Sequence, residues 1–287
     1  MSISFDNAAA DLLITAAGDA ADELREQGSG RRMAAETAVD GFSGAYATLF
    51  ETACAIESED RGKLAGVLDE LVTQVEDAKL KAEEEVQRQA DLTPWTERES
   101  ARERERATGL TGIAGPISEP YDPKPSETPV QAPTVSAAFT ARGRSRSPGA
   151  GPTGKSSAVP NNLGTFVTNA KSANDRMEED VTAVKTAWAG FTSSCSWVSL
   201  GTSSFVTGFE NLLEENRDDV DWIERVAAAF ELAGSGGVFN PATPLSDAMI
   251  GMAAGLMDRY RGMLVIPGGS AVIPAELINP SAIDADW

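Results

Sequence analysis

The octapeptide Gly149-Ala150-Gly151-Pro152-Thr153-Gly154-Lys155-Ser156 matches the spacing in which backbone amides and a lysine cradle phosphate. That chemistry needs a buried strand before the loop and a helix directly after it, so that the amides and the helix dipole converge on the anion. Arg142 to Pro148 offers no strand and Ser156 to Pro160 starts no helix, so the match reads as incidental. The acidic runs Glu178-Glu179-Asp180, Glu214-Glu215 and Asp218-Asp219-Asp221 come next. Paired carboxylates cleave glycosidic bonds or hold cations when they converge in a cleft. Here they fall beside or opposite apolar helical stripes, where solvated faces are the ordinary outcome. Histidine is absent, which removes Ser-His and Cys-His pairs, imidazole metal ligands and the usual proton shuttle. Cys54 and Cys195 make no CxxC and read as buried small hydrophobes, with a single cross-link between them left open. No catalytic, cofactor-binding or metal-binding residue is assigned, and the chain reads as a non-enzyme.

The elements around these residues are helical. Phe166, Ala170, Ala173, Met177, Val181, Val184 and Trp188 recur at helical spacing, and so do Phe205, Phe209, Leu212, Val220, Ile223, Ala227 and Phe230. One stripe cannot be buried alone, so the second helix is expected to fold back on the first, with Gly190 in the bend where a Cβ would be in the way. The N-terminal part repeats the pattern. A stripe from Phe5 to Leu24 is kinked at Gly28-Ser29-Gly30 and stops near Gly41. Phe42-Ser43-Gly44 then forms the turn, and helical runs follow from Tyr46 to Ala53 and from Leu64 to Val86, separated by polar Glu57 to Asp60.

The expected architecture is all-α: two antiparallel helical hairpins, like four-helix bundles, joined by a disordered Pro/Gly-rich linker, plus a short C-terminal helix. Residues 1–108 form the first hairpin with a charged helical extension, 109–160 the linker, 161–234 the second hairpin and 235–287 the C-terminal helix and loop tail. Asn161 or Asn162 caps the second hairpin. Asn216 falls on its apolar seam, either fixing register or exposed through a local bend. The stretch CSWVSLGTSS requires an extra turn or bulge. In the tail, Thr243-Pro244 begins a helix carrying Leu245, Met249 and Met252, which either packs on the second hairpin or offers a Met-rich docking face.

A formal charge of −20 over 287 residues repels nucleic acid and anionic membranes. No window approaches the ~20 apolar residues of a membrane span. The linker's Arg142, Arg144, Arg146 and Lys155 form a local basic run that touches the acidic helices, cell-wall anions or nothing. The N-terminal stretch has neither a basic n-region nor an apolar h-region, so a Sec route is not expected.

Trp188-Ala189-Gly190 between two matched helices resembles the WXG superfamily, helical-hairpin proteins of Gram-positive bacteria exported by the type VII (ESX) system. In the first hairpin Phe42 and Gly44 occupy the corresponding turn, with Phe in place of Trp. The resemblance implies a secreted or cell-surface protein, cytoplasmic before export, that acts by protein-protein contact as an effector or as the targeting module of a longer, toxin-like chain. It also implies a protein partner, such as a small WXG protein or the secretion machinery, in a homo- or heterodimer. The family's Tyr-Xaa-Xaa-Xaa-Asp/Glu export signal has no counterpart here, and only Trp95 with Glu99 shows an aromatic and an acid at that interval. The alternatives are a toxin or enzyme active in residues 235–287, and a cytoplasmic helical scaffold.

Overall fold

Asp6 starts the first helix, its Oδ1 accepting the Ala8 and Ala9 N–H groups at 2.8 and 3.3 Å. The computed structural model describes residues 3–107, 123–147, 155–235, 245–246 and 250. Within them lie α1 (Asn7–Val39), α2 (Ala45–Ala107), β1 (Thr134–Ala137), β2 (Lys155–Ser156), α3 (Pro160–Ser194), β3 (Ser199–Ser203), α4 (Phe205–Ser235) and β4 (Leu245–Ser246). The protein is mostly helical, and its class is all-α. β1 pairs in parallel with β3, and β2 antiparallel with β4.

The chain divides into two compact units, and every helix gives a segment to each: unit 1 is Met1–Ser29, Glu57–Gly143 and Ala173–Glu215, and unit 2 is Gly30–Ile56, Arg144–Ser172 and Asn216–Trp287. Compactness therefore does not follow the expected division at a linker between residues 109 and 160. In unit 1, Leu13 and Leu24 of α1, Leu64 and Leu71 of α2, Met177 of α3 and Phe209 of α4 share one core. Asp11 pairs with Lys79 and Arg25 with Asp69, so α1 and α2 run in opposite senses there. Glu23 meets Arg176 and Gln27 meets the Ala173 carbonyl, which orients α3 likewise against α1. Unit 2 has its own core, with Phe50 edge-on to Phe166 at 4.9 Å and Tyr46 stacked on Trp222 at 6.3 Å.

Several expectations need correction. Gly28-Ser29-Gly30 does not interrupt α1, and Glu57 to Asp60 does not interrupt α2. The reason is a buried polar cluster: Arg61 donates to Glu57 Oε1 at 3.1 Å and to the Leu24 carbonyl, and its guanidinium fills the space that Gly28 leaves. The linker is ordered over residues 123–147. Val135, Ala137 and Phe139 alternate inward, Ser136 N–H donates to Gln74 Oε1 at 2.7 Å, and Val130 N–H donates to Glu85 Oε2 at 2.9 Å. The extra element between Trp197 and Phe205 is β3, laid beside β1. α3 starts at Pro160, whose fixed φ suits a first helical position, while the Asn162 side chain donates to the Asp40 carbonyl. Leu245 and Ser246 form a strand rather than a helix start, and the remainder of the expected C-terminal helix lies almost wholly outside the described residues.

Candidate partner-binding groove

Small side chains along facing stretches of α1 and α3 leave an open channel in unit 1. Ala8, Ala9, Leu12 and Ala16 line it from α1, and Ala183, Thr186, Ala187 and Gly190 from α3. The walls are mostly apolar, and Leu12 is 65% exposed on one of them. With alanine, threonine and glycine on the facing sides, the space between the outer edges of the two helices stays open to solvent. The edges are acidic, with Asp11 and Asp19 on α1 and Asp175, Glu178 and Glu179 on α3.

Asp180 reports the electrostatics beside the channel. Burial, reinforced by the charges of Glu23, Glu179 and Asp19 and opposed by Arg176, pushes its carboxyl up to about 6. Its Oδ2 is buried without a hydrogen-bond partner among the described residues.

The expected site residues separate into three places. Trp188 is half-buried, stacked on Phe191 at 6.0 Å and edge-on to Phe205 at 5.2 Å. Gly190 is not in a bend: it lies inside α3, and a Cβ there would meet nothing within 4 Å. The helix ends later, where Cys195 N–H donates to the Phe191 carbonyl and Trp197 N–H is taken by the Ser4 carbonyl. Phe42 and Gly44 do sit in the turn between α1 and α2. Gly44 has φ 92°, a left-handed conformation that favours glycine, and Phe42 packs on Phe50 and Phe230. Trp95 and Glu99 share α2, with the Lys124 ammonium 5.4 Å above the indole and Arg102 3.3 Å from Glu99.

Of the phosphate-loop pattern, residues 149–154 lie outside the described residues. Lys155 and Ser156 form a strand, and the Ser156 hydroxyl faces the Tyr46 N–H at 3.5 Å. Among the described residues no three His, Cys, Asp or Glu side chains gather as a cation site. Both cysteines are free thiols, and burial pushes Cys195 up from its ordinary value. No helix among the described residues is long and apolar enough to cross a membrane.

Asn216 is buried and accepts from Arg144 Nη2 at 2.8 Å, while Arg144 also pairs with Asp219. Arg146 Nε lies 2.9 Å from Asp219, and Arg142 Nε lies 2.7 Å from Asp60. Arg142, Arg144 and Arg146 of the basic run thus lie against acidic residues of α2 and α4. Burial pushes Asp219 up from the usual carboxylate range, and Arg144 and Arg146 pull it back.

Comparison with protein-family models, curated proteins and solved structures found no match.

Proposed function

We propose that this protein is a helical interaction module whose α1–α3 channel receives part of another protein. One observation carries this reading: an open apolar trough with acidic edges, held between two long helices whose backbones satisfy their own hydrogen bonds. The chemistry on the chain favours recognition over catalysis, since without histidine the acids and cysteines lack their commonest proton-transfer partner. A photocrosslinking residue at exposed Ala183, introduced in the native host, should trap a protein that the same residue at exposed Leu80 of α2 does not. Equal trapping at both positions, or none at Ala183, sinks the reading.

As a second reading we propose export as a folded helical protein by a type VII route, on the WXG resemblance. What supports it is Trp188 near the end of α3, packed on Phe205 at the start of α4. What weakens it is Gly190 within α3. Loss of the host's secretion ATPase should remove the protein from the medium; unchanged export overturns this reading.

A further inference from the structure

We infer that the channel between α1 and α3 is built for an amphipathic helix with a basic face, supplied by a partner protein. The inference rests on the interaction reading above and names the chemistry of its occupant. The stretch from Ala8 to Asp19 is about 17 Å long at helical rise, room for some three turns of a helix laid alongside. The walls end in Ala, Thr and Gly, so bulky apolar side chains must come from the occupant, and exposed Leu12 offers them a surface.

Charge decides what borders those apolar side chains. The lining holds five carboxylates and neither lysine nor arginine. Asp11 has its cation in Lys79, whereas Asp19, Asp175 and Glu179 have no ion pair among the described residues. Asp180, beside the channel on α3, is raised first by burial; Glu23 and Asp19 facing from α1 and Glu179 alongside add to it, and Arg176 opposes them. A second copy of this chain, at −20, brings the wrong sign. Residues 251–287 bring it too, with Asp258, Glu276, Asp284 and Asp286 against Arg259 and Arg261. Lysines or arginines flanking an apolar stripe meet both demands, the acidic edges and the oily walls.

The test uses the full chain, fluorescence anisotropy and three labelled peptides: a Leu/Lys amphipathic helix, the same composition scrambled, and a Leu/Glu helix. The Leu/Lys helix should bind at least about tenfold tighter than its scramble, and the Leu/Glu helix should not bind. Ala183→Trp, on an exposed face, should plug the channel and weaken binding about tenfold or more with an unchanged melting temperature. The combined change Asp19→Asn, Asp175→Asn and Glu179→Gln should weaken it about tenfold and flatten its salt dependence. Equal binding of the scramble would reduce the effect to general attraction by an acidic chain and overturn the inference, as would binding of the Leu/Glu helix or indifference to Ala183→Trp. If Ala183 traps a partner but the peptides do not discriminate, only the basic-helix inference fails; if Ala183 traps nothing, the channel reading fails with it.

Discussion

Gly28 and Arg61 fit each other: a Cβ on Gly28 would lie 3.0 Å from Arg61 Nη1, and that guanidinium is held by Glu57 and by the Leu24 carbonyl. Such a pair is fragile when halved, because the remaining charge stays where water cannot reach it. Arg61→Leu should cost about 3 kcal/mol in urea denaturation, and the double change Glu57→Leu with Arg61→Leu should cost less than Arg61→Leu alone. A loss in the double variant equal to the sum of the two single losses would show that the pair is not coupled.

Gly208 permits no side chain. An added Cβ would come within 2.4 Å of the Phe139 carbonyl oxygen, which accepts from the Ser204 hydroxyl while the Phe139 N–H donates to that same hydroxyl. Gly208→Ala gains about 1 kcal/mol of helix propensity and still should lose about 2 kcal/mol net, because residues 134–139 must move. A rise in melting temperature would contradict this.

Glu85 fastens the 123–133 stretch to α2. Arg88, then the Gln89 side chain and the Val130 N–H, hold its carboxyl at about 2, against an ordinary 4.5, although burial opposes them. The folded state thus gives up this proton more readily than the unfolded chain, so the stabilisation is complete above pH 4.5 and fades as pH falls through about 2. Glu85→Gln should speed hydrogen exchange at the Val130 amide at neutral pH while leaving that of Ser136, held by Gln74, unchanged.

Asp180 has the opposite sign. Its folded value of about 6 lies above the ordinary 3.8, so the native protein keeps a proton that the unfolded chain releases, and stability falls as pH rises through that window. Asp180→Asn should stabilise the fold by about 1 kcal/mol at pH 8, a figure discounted for the half-exposed position, and by nothing at pH 3.5. Comparing urea midpoints at the two pH values checks it; a gain that is the same at both would refute the titration.

The helical stripes were legible because Leu64, Leu68, Leu71 and Val75 can share a face only at helical period. The buried charges were not, since Glu57, Asp60 and Arg61 look like any solvated run until Leu24, Gly28 and Arg142 close around them. Thr134 to Phe139 carried a period-two signal that the surrounding prolines masked. Gly190 misled because a glycine near a helix end suggests a turn, whereas the end was set four to seven residues later by bonds that Cys195 and Trp197 make. The channel itself had a trace in sequence, the Ala and Thr spacing of both helices. Nothing local said that those two faces would meet.

The first core is assembled from residues 10–24 and 64–78 early in the chain, Val135, Ala137 and Phe139 in the middle, and residues 177–213 far downstream. A ribosome adding ~5–20 residues per second leaves the early leucines wet for roughly ten seconds before their covers emerge. Translation that stalls before Met177 therefore releases a sticky, half-dressed product, a natural client for holding chaperones and proteases.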